Sequence, residues 1–144
     1  MLRNVSIIIL ALTVFACGDT QSDTEPEVSL VGTWEFVPSQ EQNEFAAAMN
    51  KKAGPLKYTF NRNDTYMAVG GPLSGRNYVE EGVYEFDGHT LVLHRKSVGG
   101  TRAPIYERTS KNAVRFENDG STIVGDKNFG DWTFMGAEVR FSKR

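Results

Sequence analysis

The chain has 144 residues, 24% charged and 40% hydrophobic, with a formal net charge of −2 and a single cysteine. That length fits one ordinary domain plus a short targeting segment. A near-neutral balance without basic clusters argues against nucleic acid or anionic headgroups as partners, and one cysteine excludes an internal disulfide.

The N-terminus reads as an address. Val5 to Phe15 is an apolar run interrupted only by Ser6 and Thr13, with Arg3 before it. A bilayer-spanning helix needs about 20 apolar residues, so the run is too short to remain as a span. A charged start, a short apolar core and a small residue at the break predict a secretory signal peptide over residues 1–16.

The stretch Val14-Phe15-Ala16-Cys17 resembles the lipobox of bacterial lipoproteins. The resemblance implies lipid attachment at the Cys17 thiol, cleavage before Cys17 and acylation of the new amino group by a chain such as palmitate. It also implies residence in the bacterial cell envelope, lipid-anchored at the outer membrane on its periplasmic or surface face. Two or more such signals hold stably, since each buried CH₂ contributes about 0.8 kcal/mol. The other use of an odd cysteine in an exported chain is a disulfide to a partner protein.

Residues 17–28 hold the cysteine and "GDTQSDTEPEV", with four carboxylates and no base. Such a composition buries too little surface to fold and predicts a tether, reaching about 17–20 Å as a flexible coil. Acidic residues just after the cysteine also resemble the surface-export tags of some Gram-negative lipoproteins. Cleavage removes Arg3 from the sixteen basic residues and none of the eighteen acidic ones, so the mature chain is more acidic than the precursor.

Residues 29–144 form the remaining domain. After an opening strand through Trp34 and Phe36, "SQEQNEFAAAMNKKAG" predicts the one helix, with Phe45, Ala48 and Met49 on its buried side and Gly54 as stop. Three stretches follow with one design: "YTFNRNDTYMAV", "VYEFDGHTLVL" and "VRFENDGSTIV". Each sets an Asn/Asp/Gly turn between apolar runs, the mark of an antiparallel hairpin. In the first, a two- or four-residue loop puts Tyr58, Phe60, Met67 and Val69 on one face. In the second, a two-residue Asp87-Gly88 loop sets Tyr84 opposite Leu91 and Gly82 opposite Leu93. In the third, Phe116 faces Ile123 and Val114 faces Gly125. The last segment, "DWTFMGAEVRFSKR", changes phase at Gly136, as a β-bulge would. Eight or nine such strands predict an all-β fold, a small antiparallel up-and-down barrel with one short helix after the first strand.

"LVGTWEFVPSQEQNEFAAAMN" resembles the first strand and lid helix of the calycins, the lipocalins and fatty-acid-binding proteins, with Gly32 and Trp34 in their Gly-x-Trp motif. As a whole the chain is similar to short bacterial lipoproteins with a lipocalin-like domain. The resemblance implies a ligand-binding barrel. Two departures stand beside it. Fatty-acid-binding proteins grip a carboxylate with Arg-x-Tyr near the C-terminus, where this chain has Arg140-Phe141-Ser142. Lipocalins stack a late arginine on the first-strand tryptophan, whereas Arg140 has outward parity. A second resemblance is local: "LSGRNYV", Leu73 to Val79, is similar to the Ser-Gly-x-x-Tyr loop of membrane-bound C-type lysozyme inhibitors.

Signals for catalysis are missing. His89 and His94 lie an odd number of residues apart on one strand, so they predict no shared metal, and no cofactor motif is present. Gly71 to Gly75 lacks the spacing of a nucleophile elbow or a phosphate loop, and "GGPLSG" predicts a flexible loop at the barrel mouth. Glu85, Glu117 and Glu138 read as exposed strand residues that serve solubility. The chain is not expected to be an enzyme.

Two functional readings follow. The first is a lipid-anchored, lipocalin-like module holding a small apolar or amphiphilic ligand. The alternative is a protein-interaction module with a filled barrel, such as a C-type lysozyme inhibitor. An eight-stranded barrel has room for either outcome. The inward aromatics are numerous: Trp34 and Phe36, Tyr58 and Phe60, Tyr84 and Phe86, then Phe116 and Phe141. Continued past Gly82 and Leu93, the ladder of the second hairpin sets Glu80 opposite Arg95, with Arg95 inward at the far rim beside "GGPLSGRNY". Arg95 there forms a rim ion pair, or meets the polar head of a ligand whose tail lies along Tyr84 and Met67.

Overall fold

The structure is a computed structural model of the whole chain. It describes residues 28–75, 78–99, 107–133 and 137–144. The signal peptide, Cys17, nearly all of the tether and the phase change at Gly136 lie outside the described residues.

Eight antiparallel strands close into a barrel in chain order. They are β1 (Gly32–Phe36), β2 (Leu56–Phe60), β3 (Thr65–Gly70), β4 (Val79–Phe86), β5 (Thr90–Gly99), β6 (Arg108–Glu117), β7 (Thr122–Gly125) and β8 (Val139–Lys143). Helix α1 (Gln40–Ala48) follows β1, and a 3₁₀ turn, η1 (Phe129–Asp131), precedes β8.

The hairpins show how turn length decides which side chains face inward. Around Asp119-Gly120 the register is the expected one, Phe116 opposite Ile123 and Val114 opposite Gly125. At the second hairpin the loop is longer by two residues. Asp87 Oδ1 accepts from the His89 and Thr90 amides at 2.9 and 2.6 Å, and Phe86 pairs with Leu91, Tyr84 with Leu93 and Gly82 with Arg95. Lengthening by two keeps the parity, so the faces are as expected although the partners differ. At the first hairpin the parity itself changes. The Asn61 amide donates to Thr65 O, and Asp64 takes a φ of +60°, making a three-residue loop with its last residue left-handed. Tyr58 therefore pairs with Ala68 and Phe60 with Tyr66. Tyr66 and Ala68 go inside, while Met67 and Val69 face out, Met67 with 38% of its surface exposed.

A bulge separates Gly82↔Arg95 from Glu81↔Ser97 in the β4–β5 ladder. Lys96 is the extra residue, so the inward phase passes from Arg95 to Val98. Gly82 is required here: a Cβ would meet the Tyr66 ring at 2.8 Å and crowd the His94 carbonyl.

Aromatic rings fill the axis. Tyr58 stacks on Phe60 and Tyr66, at 5.8 and 6.1 Å between centroids, and meets Phe129 and Phe141 edge-on at 5.3 and 5.7 Å. Phe129 comes from η1 and plugs the barrel beside Gly125, where a Cβ would overlap its ring. Trp34 is fully buried, its indole N–H donates to Leu30 O at 2.7 Å, and Lys143 Nζ lies 5.2 Å above its ring. A lysine thus covers the tryptophan, while Arg140 faces out and pairs with Glu117.

The two ends of the barrel differ. The three tight hairpins (β2–β3, β4–β5, β6–β7) and the entering segment of residues 28–31 share one end; α1 and the longer connections share the other. Ser39 caps α1: its hydroxyl accepts from the Gln42 amide, and the Gln42 side chain accepts from the Ser39 amide. The buried face of α1 is Gln42 and Ala46, with Phe45 packed on the core. Ala48 and Met49 are exposed, because the helix ends at Ala48 and Asn50 turns left-handed long before Gly54. The Gly71–Gly75 stretch lies at this mouth and is tied to the segment after α1. Ser74 and Lys52 exchange two hydrogen bonds, at 2.8 and 2.9 Å, and Leu73 bridges Ala53.

Candidate functional site

The loop end holds a cleft of about 370 Å³. Its walls are Phe45 from α1, Pro72 and Leu73 from the Gly71–Gly75 stretch, and Tyr78 set edge-on to Trp132 at 5.2 Å. Its floor is charged. Glu80 and Arg95, the inward residues on either side of the bulge, are only 2% and 6% exposed. Tyr66 Oη donates to Glu80 Oε1 at 2.7 Å, and Arg95 Nε lies 3.5 Å from Glu80 Oε2. Arg95 Nη2 pairs with Asp131 Oδ2, and the same oxygen lies 3.2 Å from Arg108 Nε. Two carboxylates and two guanidiniums thus balance, with a phenol at the inner end.

Three features of the fold hold this floor together. Gly82 lets the Tyr66 ring lie across β4, which brings its hydroxyl to Glu80 two residues along. The bulge at Lys96 brings Arg95 diagonally to Glu80, which pairs in the ladder with Val98. Asn112, fully buried, accepts from the Gly130 amide at 2.8 Å and donates to Leu91 O at 3.2 Å, tying η1 and hence Asp131 to the wall.

Burial pushes the Glu80 carboxyl above its ordinary range, against the opposing pull of the Tyr66 hydrogen bond and the Arg95 charge. Burial, and then Glu80 itself, raises the Tyr66 phenol. Tyr58 is also raised by burial, with Glu80 adding to it and the neighbouring Trp132 indole N–H opposing it, although hydroxyl and indole miss the geometry of a full hydrogen bond. The arrangement is suited to gripping a polar group beside an apolar wall.

Of the residues expected to bind a ligand, Glu80 and Arg95 lie in this cleft and meet as an ion pair. Tyr58 lies beneath it in the core: a Cβ on Gly130, part of the cleft wall, would overlap the Tyr58 hydroxyl. Tyr84 and Met67 are elsewhere. Tyr84 donates to Asn61 O at the hairpin end, and Met67 faces outward, so no ligand tail runs from Arg95 along those two. Asp131, Arg108, Trp132 and Asn112 come to the site without having been singled out from sequence. Tyr66 was hidden by loop parity alone.

No family model, curated protein or solved structure matches this chain. The site stands on its own geometry.

His94 Nε2 lies 3.0 Å from Glu85 Oε1 on the outer wall, while His89 is exposed at the opposite hairpin. Among the described residues no His, Cys, Asp or Glu group is arranged to hold a metal ion. A second hollow, of about 440 Å³ beside residues 28–31, has only the exposed carboxylates of Asp64 and Glu85 and no buried charge.

Proposed function

We propose that this is a lipid-anchored, lipocalin-like binding protein of the bacterial envelope, holding a small amphiphilic ligand in the loop-end cleft. The observation that carries this reading is the pairing of an aromatic-walled cleft with a buried charged floor, beside a barrel axis already filled by rings. Mostly apolar walls with a few placed polar groups are the usual composition of a small-molecule site. The signal, lipobox and Gly-x-Trp opening supply the anchor and the family likeness. Residues 28–31 enter at the hairpin end, the end of the barrel opposite the cleft. Mass spectrometry of the organic extract of protein purified from its own envelope tests the reading. A small amphiphile accompanies the wild type and is lost from Leu73→Trp, which fills the cleft. Identical extracts from the two would overturn it.

The filled axis also favours a second reading, a protein-interaction module such as a C-type lysozyme inhibitor. Here the Ser74 hydroxyl is occupied by the Lys52 amide, while Tyr78 stands in the cleft wall. Slowing of a C-type lysozyme by micromolar mature protein, abolished by Tyr78→Ala, supports this reading; unchanged lysis removes it.

A further inference from the structure

Asp131 occupies an unusual position. One oxygen, Oδ2, serves both Arg95 and Arg108. Arg95 belongs to the buried floor, whereas Arg108 is 57% exposed at the rim. The carboxylate between them does not come from the barrel wall. It comes from η1, at a residue whose φ of +65° lies in the left-handed region, where a side chain is strained. The preceding Gly130 is also left-handed, at +56°. One ring of the apolar wall, Trp132, is the next residue on the same turn.

Two guanidiniums converging on one point match a bidentate oxyanion. A carboxylate supplied by a strained turn fills that point in the free protein. We infer that Asp131 is a built-in stand-in for the anionic head of the ligand, and that a carboxylate or phosphate on a small apolar body displaces it from between Arg95 and Arg108. The inference rests on the cleft being the ligand site and adds the charge of the ligand and its competitor. Glu80 keeps Arg95 in place during the exchange, because its contact with Arg95 does not involve Asp131. The apolar body then lies against Leu73, Tyr78 and Trp132. Binding frees the strained turn, so affinity is lowered by the fraction of molecules in which Asp131 holds the clamp.

The chain has two tryptophans, one in the cleft and one buried beneath Lys143, which makes Trp34 an internal control. Mature lipidated protein carrying 5-fluorotryptophan, held in nanodiscs, is titrated with hexanoate, hexyl phosphate, hexylammonium and hexyl glucoside. The two anions shift the Trp132 ¹⁹F signal and leave Trp34 in place. Asp131→Asn tightens both by about tenfold and Arg108→Ala weakens both by about tenfold, the worth of one charge-assisted hydrogen bond. Arg108 is exposed, so that variant keeps its fold. If the cation or the glucoside binds the cleft as tightly as hexanoate, or Asp131→Asn leaves hexanoate unchanged, the stand-in is refuted and the cleft reading survives. If no probe moves Trp132, both fall. Inorganic phosphate binding as tightly as hexyl phosphate would overturn the part given to the apolar wall.

Discussion

The Tyr66 hydroxyl donates to Glu80 across the inside of the barrel at 2.7 Å, from a residue whose neighbour Met67 points into solvent. That hydrogen bond ties the aromatic core to the charged floor of the cleft. Removing it leaves a buried carboxylate short of a donor. Tyr66→Phe should cost about 1–3 kcal/mol in urea unfolding, as for an orphaned buried group. Met67→Lys should stay within about 0.5 kcal/mol, as for an exposed site. Equal effects from the two would contradict the three-residue loop.

Arg95→Ala tests the floor itself. Both members of the Arg95–Glu80 pair are buried, so deleting one strands the other and should cost about 3–5 kcal/mol at neutral pH. A merely rim-exposed pair would lose about 0–1 kcal/mol. Comparing denaturation midpoints of Arg95→Ala and Arg108→Ala separates these cases, since Arg108 is the exposed arginine.

Acidity should act on Glu80 with a definite sign. Its folded carboxyl is raised above the unfolded value, chiefly by burial. The folded state therefore holds the proton more tightly, and this contribution is full below the unfolded value and is lost as pH rises through the folded one. The half-buried Glu117 and the exposed Glu138 are lowered, chiefly by hydrogen bonds from Arg140 and Arg115, and so contribute in the opposite direction. Glu80→Gln isolates the buried group. From about pH 4 upward, wild type should lose stability relative to Glu80→Gln. A relative gain over the same range would show that ion pairing dominates burial at this site.

Gly82 tests the link between fold and site. Gly82→Ala puts a methyl against the Tyr66 ring and the His94 carbonyl, and should cost about 1–3 kcal/mol, as overpacking does. Thermal unfolding checks the cost. Unchanged melting would mean that Tyr66 lies elsewhere.

Much of this fold could be read from turns and alternation. Asp119-Gly120 set its register, and the inward phase of Trp34, Phe36, Tyr58, Phe60 and Phe141 followed from parity. Tyr66 could not be read because "NRNDT" is compatible with loops of two, three or four residues, and an odd length reverses every side chain after it. The left-handed Asp64 that decides the matter is a conformational choice made by the assembled sheet. Glu80 and Arg95 could be paired on paper because both are inward by parity, although the longer loop and the bulge set them diagonally, with Val98 opposite Glu80. Asp131, Asn112 and Trp132 could not, because they reach the cleft through η1, a short irregular turn without periodicity. The helix face was misjudged for a related reason: Gln42 is polar, and its burial depends on the cap at Ser39 and on Glu138 O, 96 residues away.

The anchor has its own test. Cys17→Ser should abolish lipid attachment and leave the precursor uncut, so mature wild type enters the detergent phase of a phase split and carries an acyl mass that the mutant lacks. Wild type in the aqueous phase, indistinguishable from the mutant, would contradict the lipoprotein reading.

Isotope-filtered NOE measurement on protein loaded with the amphiphile recovered from its own envelope locates the ligand. Contacts from the ligand to Leu73, Tyr78 and Trp132 are predicted. Contacts to Phe60, Leu93 and Phe141 instead would place the ligand along the barrel axis and contradict the account.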